Sequence, residues 1–246
     1  MPKRVRHDVV IVVREEMTFI GKSIEKSNTE QKISLYSKAL ELDANDINAM
    51  KGLAFCYKDL GKIELAIKYF SMAKKKTPFD RVLYYELGSL EFFKKNYIGA
   101  IKLFMKAIKL SPGYVEAIIA MAEAHEEIEE FDMAEMIYLK ILEKMPYNLQ
   151  VYDKMGHLYI KTGDYKKALN CFRDILALDI SSTSAYFGMA KCFDEAGKEA
   201  EARRYYKKYL SLEPNSVHKN FVISQLEKMR MPKKYTNTDR SHLRVI

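Results

Sequence analysis

The sequence predicts an all-α fold, a right-handed superhelical solenoid of stacked helix-turn-helix repeats. Three observations lead there. A pattern beginning at Ile47 returns every 34 residues, five times over, without an insertion. Each period holds two stripes of apolar residues at helical spacing, with glycine or proline at fixed places between them. Strand-like alternation is absent apart from the short run Val9 to Val13. A fixed period of this length marks supersecondary units that bury their apolar faces only by stacking on their neighbours.

The first copy, 47–80, sets the pattern. Ala49, Met50, Leu53, Ala54 and Tyr57 recur at spacings of three and four and define one wide stripe on a first helix. Gly61 follows, a residue able to take the left-handed conformation that ends a helix. Ile63, Ala66, Ile67, Phe70 and Ala73 then define a second helix, whose alanines let backbones approach while the aromatic fills the remaining space. Pro78 biases its predecessor away from helix and closes the repeat.

Copies follow over 81–114, 115–148, 149–182 and 183–216. They are marked by Leu87, Gly88, Ala100 and Phe104, then Met121, Ala122, Ala134 and Tyr138, then Met155, Gly156, Ala168 and Phe172, then Met189, Ala190, Ala202 and Tyr206. Gly163 and Gly197 end two of the first helices, and in the second copy Asn96 or the neighbouring Lys95 has to do so. Pro112, Pro146 and Pro214 stop second helices; Ile180 stands in that place in the fourth copy, where Ser181, Ser182, Thr183 and Ser184 offer a capped helix start instead. Upstream, Lys32, Ile33, Tyr36, Ala39 and Ala44 match second-helix positions, so 13–46 is expected to be a degenerate first repeat with its first helix around Val13 to Lys26. Downstream, Val217, Phe221, Val222, Leu226 and Met229 read as an amphipathic helix over 217–230 that covers the last repeat.

These residues resemble the tetratricopeptide repeat family, strongly over 47–216 and weakly over 13–46. The tryptophan usual near the start of the family's first helix is replaced by Met50, Tyr84, Ile118, Tyr152 and Tyr186, all large enough to fill the same gap. The resemblance implies a protein that holds other proteins, and a concave groove lined by the second, fifth, ninth and twelfth positions of each first helix. At those positions Phe55, Tyr85 and Phe92 form an expected aromatic patch, followed by Glu116, Glu123, Glu126 and Asp153, with His157 and Phe187 further along. A protein or peptide segment with an apolar anchor and flanking Lys or Arg is the expected partner. The competing reading has Phe55 and Phe92 packing inside the array and the glutamates as ordinary solvated charge. Chaperone-binding members of the family grip a terminal carboxylate with Lys and Asn four apart, helped by a basic pair two repeats on. Here Phe55 follows Lys51, and Glu116 and Ala120 stand at the later places, so that clamp is not expected.

The net charge of +8 is concentrated at the ends, +5 within 217–246 and +2 within 1–12, leaving +1 for the repeats. The basic segments 1–12 and 231–246 leave RNA binding through the termini as an alternative reading, although Tyr235 as their one interleaved aromatic makes nucleic acid the weaker expectation. Tyr235, Leu243, Val245 and Ile246 leave tail-mediated self-association open. Val9 to Val13 is too short for a secretion signal and is followed at once by Arg14, Glu15 and Glu16, so a cytoplasmic location is expected. Cys56, Cys171 and Cys192 have no paired spacing and are expected as buried free thiols in a reducing compartment. His125-Glu126-Glu127-Ile128-Glu129 lacks the second histidine of a zinc helix. No nucleophile-and-base arrangement or glycine-rich phosphate loop appears, so catalysis, a metal and a cofactor are not expected.

Overall fold

The computed structural model describes residues 28–229. The basic segment 1–12, the helix expected around Val13 to Lys26 and the tail 231–246 lie outside the described residues. Within them the chain forms twelve α-helices and no strand: α1 Thr29–Leu42, α2 Ile47–Asp59, α3 Ile63–Lys76, α4 Arg81–Phe93, α5 Tyr97–Leu110, α6 Val115–Glu127, α7 Phe131–Lys144, α8 Leu149–Lys161, α9 Tyr165–Leu178, α10 Thr183–Glu195, α11 Glu199–Leu212 and α12 Lys219–Lys228. Two compact units divide within α7, the first ending at Ile137 and the second starting at Tyr138. In the first, α1 to α6 each pack on the next, and α4 also touches α6. In the second, α8 to α12 each pack on the next, and α8 touches α10.

The helix starts are written in short polar side chains. Asn28 forms a reciprocal capping box with Gln31, while Asp46, Asp80, Asn96, Asn148, Asp164 and Ser182 each accept a backbone N–H from the first turn of their helix. Gly61, Gly163 and Gly197 take positive φ between paired helices, and in the second and third repeats Lys95 and Glu129 do so at φ 63°. Asn96 therefore does not make the left-handed turn. Its φ is −85° and its side chain accepts the N–H of Gly99, because an amide at that place satisfies an orphan donor of α5 better than it serves as a bend.

Packing rests on one ring per repeat. Phe70, Phe104, Tyr138, Phe172 and Tyr206 recur at 34-residue intervals and are at most 1% exposed. Each follows by four residues an alanine (66, 100, 134, 168, 202) that is fully buried. In the second unit the tip of Phe172 reaches two first helices at once. A Cβ built on Gly156 of α8 would lie 2.6 Å from its Cζ, and one on Gly188 of α10 would lie 2.3 Å from the same atom. Both glycines are there because a methyl group would occupy the space of the ring.

The last helix covers the array unevenly. Val222 is fully buried, but Val217 is 93% exposed and lies outside the helix, so it takes no part in the cover expected of it. Ser216 is buried in its place and hydrogen-bonds the Tyr209 hydroxyl. The Arg203 guanidinium donates to the Met229 carbonyl and so ties down the end of α12.

Gly188→Ala is expected to lower the unfolding free energy by about 1–3 kcal/mol through overpacking, despite a gain of roughly 1 kcal/mol in helix propensity. Urea denaturation followed by circular dichroism measures this, and adding Phe172→Leu should recover part of the loss.

Candidate functional site

In the first unit the wall expected to hold a partner is made by α2, α4 and α6. Its basic end is already neutralised within the fold. Lys51 reaches across to Asp80 at 2.8 Å, and Lys58 reaches Glu86 at 2.6 Å, each carboxylate belonging to the next first helix. Glu86 is only 8% exposed, so its charge is held by Lys58 in a partly desolvated place. Burial works against ionisation of Asp80, but the Lys51 ammonium and the Val82 backbone N–H outweigh it and hold the carboxyl below its ordinary range.

The aromatic residues of the wall are half-buried and each leans on a second helix. Phe55 meets Phe70 edge-on with centroids 5.0 Å apart, and Phe92 meets Tyr97 edge-on at 5.2 Å. Tyr85 lies 5.9 Å from Phe104 and 5.3 Å from Tyr114, whose ring also carries the Arg81 guanidinium at 5.2 Å. Phe55 packs with the cluster around Met50, Phe70 and Leu87, whereas Tyr85 and Phe92 share the cluster of Ala100, Phe104 and Ala124. The three rings are therefore distributed over two clusters, with Tyr85 and Phe92 packed against the same one. Beyond them α6 carries Glu116, exposed, and Glu123 and Glu126, half-buried. His125 on the same helix is bound through Nδ1 to Glu130 at 2.6 Å.

The remaining expected residues lie in the second unit and form two groups. Asp153 and His157 sit one turn apart on α8, Oδ2 to Nε2 3.8 Å, with Asp153 Oδ1 buried and lacking a hydrogen-bond partner among the described residues. Desolvation pushes the His157 imidazole below its ordinary value; Asp153 opposes this, and Lys191 and Lys154 reinforce it. Its ring stands edge-on to Phe172 at 5.6 Å. Phe187 on α10 is instead stacked on His218 at 4.6 Å and flanked by Tyr209 and Phe221, so the chain's own last helix occupies one face of it. Sequence reading missed the two lysine–carboxylate pairs. The signal was present in charges 28 and 29 residues apart, but only the stacking of consecutive repeats turns that separation into contact.

Cys56, Cys171 and Cys192 are buried thiols, none of them in a disulfide. Cys192 donates to the Tyr165 carbonyl at 3.2 Å, and burial pushes its thiol up to about 11. Among the described residues no group of His, Cys, Asp and Glu is arranged to hold a metal. No helix there is long and apolar enough to cross a membrane.

Paired helices in constant register, with first helices side by side, define the class of helical repeat solenoids. Two models described as tetratricopeptide repeat match the chain, over residues 82–114 and 154–217. The chain carries tetratricopeptide repeats over these residues, and that fold supports a protein-interaction scaffold. Among curated relatives it is 24% identical over 173 residues to Superkiller protein 3 of Schizosaccharomyces pombe, covering 68% of this chain and 12% of that protein. It is also 24% identical over 201 residues to Hsp70-Hsp90 organizing protein 1 of Glycine max, covering 77% of this chain and 34% of that one. The chain thus spans about an eighth to a third of the length of these relatives. Among solved structures, PilW, a widely conserved type IV pilus biogenesis factor, superposes with a TM-score of 0.71 at 16% identity, over 86% of this chain and 98% of that one.

Lys58→Ala leaves the buried Glu86 carboxylate unpaired and is expected to cost about 1–3 kcal/mol in urea denaturation, with Lys58→Ala/Glu86→Gln nearer to wild type. For His157 the folded-state value lies below the unfolded one, so stability is present above about pH 6.5 and declines as pH falls through that range. His157→Gln should flatten that decline in a pH series of melting curves.

Proposed function

We propose that the first unit's wall of α2, α4 and α6 binds a peptide or helical segment of a partner protein, and that the chain works as an adaptor or assembly factor without a catalytic role. One observation carries this. Along the wall the charge changes from lysines neutralised by Asp80 and Glu86, through the half-buried rings of Tyr85 and Phe92, to the glutamates of α6. An apolar anchor seated at Tyr85 and Phe92, with Lys or Arg extending toward Glu116, Glu123 and Glu126, fits that order. Similarity to a protein named for organising Hsp70 and Hsp90 supports a protein partner. It does not favour a clamp for a terminal carboxylate, since Lys51 is engaged by Asp80. Buried thiols outside any disulfide support the cytoplasmic reading.

The test is a tagged pull-down with quantitative mass spectrometry, comparing wild type with Tyr85→Ala/Glu123→Lys/Glu126→Lys. At least one protein should be depleted tenfold or more from the variant, with helical circular dichroism unchanged. Equal recovery of every partner by both proteins refutes the wall as the binding surface.

A further inference from the structure

A second surface, distinct from the wall of first helices, lies wholly within the second unit. Helix α11 carries Arg203, Arg204, Lys207 and Lys208, so that two basic pairs repeat at a spacing of four and share one side of the helix. Five residues at about 1.5 Å each place these four cations within roughly 7.5 Å along the axis. They border a cavity of about 690 Å³ that also includes Leu176 of α9 and the rings of Tyr186 and Tyr205. Its volume falls in the range of about 300–1,000 Å³ usual for ligand pockets.

The aromatic part of this cavity is held in place before any ligand arrives. Tyr186 donates its hydroxyl to the Ile180 carbonyl at 3.2 Å, fixing the ring at the helix start. Tyr205 is stacked on Phe193 with centroids 5.3 Å apart and lies 6.3 Å from Tyr186. Lys208 Nζ sits 5.7 Å from the Tyr186 centroid, so one cation borders the apolar surface directly. Arg203 is engaged through its donation to the Met229 carbonyl, and its Nε is buried with no hydrogen-bond partner among the described residues. No carboxylate lines the cavity, and none of the described carboxylates forms an ion pair with Arg204, Lys207 or Lys208.

We propose that this cavity is a docking site for an acidic protein segment, in which an aromatic or aliphatic side chain packs against the rings of Tyr186 and Tyr205 where they line the cavity, while Asp or Glu on either side of it meets Arg204, Lys207 and Lys208. Charge complementarity selects the sign of the partner, and the rings select a segment with an apolar centre. A nucleic acid is the weaker occupant. Its affinity grows with the number of phosphates neutralised, and a patch about 7.5 Å long engages only one or two of them. The site stands independently of the wall proposed for the first unit.

The experiment selects random dodecapeptides from a displayed library on the full chain and on Arg204→Glu/Lys208→Glu, with circular dichroism confirming that the variant is folded. Arg203 is left intact because it anchors α12. Wild type should enrich peptides with Asp or Glu flanking Phe, Tyr or Leu. A fluorescent copy of the most enriched peptide should bind the variant at least tenfold more weakly, and binding to wild type should weaken with added salt. Tyr85→Ala, on the other wall, should leave that affinity unchanged. The proposal is overturned if the enriched peptides carry no acidic bias, if wild type and variant bind them equally, or if only a labelled 20-nucleotide single-stranded RNA distinguishes the two proteins.

Discussion

The fold depends on an aromatic ring from each second helix, seated where first helices come closest. Phe172 is the clearest instance, since its tip stands where the Cβ atoms of both Gly156 and Gly188 would be. Phe104 approaches Gly88 in the same manner, and Tyr36 fills the space at Gly52. The ring is the largest fully buried side chain of its repeat, and where a glycine faces it the helix axis comes near enough for that burial to be complete. In the other repeats Ala54, Ala122 and Ala190 stand at the place of Gly88 and Gly156 and are fully buried. A larger residue at the glycine displaces the ring, and a smaller residue at the ring leaves a void.

That seating also fixes the spacing between successive first helices and hence what their exposed positions can reach. Lys51 meets Asp80 and Lys58 meets Glu86 because a repeat-length translation brings the fifth position of one helix beside the N-cap of the next and its twelfth position beside the middle of that helix. The candidate wall thereby acquires its electrostatic order: the basic residues are satisfied internally, and the glutamates stand on the following first helix. Two tyrosine hydroxyl contacts repeat in the same way. Tyr84 and Tyr186 both donate to a carbonyl six residues upstream, which holds a ring at the mouth of each repeat in place of the larger aromatic usual for the family.

Charge distribution illustrates what averaging conceals. The repeats carry little net charge, yet α11 concentrates four cations within six residues, beside its own Tyr205 and the Tyr186 ring of a neighbouring helix. Composition alone presents those residues as one more solvated helix face. Packing of α9, α10 and α11 turns them into the rim of a cavity, because Leu176, Tyr186 and Tyr205 come from three different helices.

The sequence by itself determined the helix pairs, their caps and the buried ring-and-alanine register, since these follow from local spacing and from side chains acting on their own backbone. The Ser182 cap and the burial of Ala66, Ala100, Ala134, Ala168 and Ala202 were legible in the 34-residue pattern. Tertiary structure decided which of the candidate side chains keep a free face. It tied Lys51 and Lys58 to carboxylates, leaned Phe55 on Phe70, stacked Phe187 on His218, and left Val217 in solvent. A repeat position specifies which way a side chain points from its own helix. Its occupancy is set by residues about 30 positions away, and only packing brings those to it.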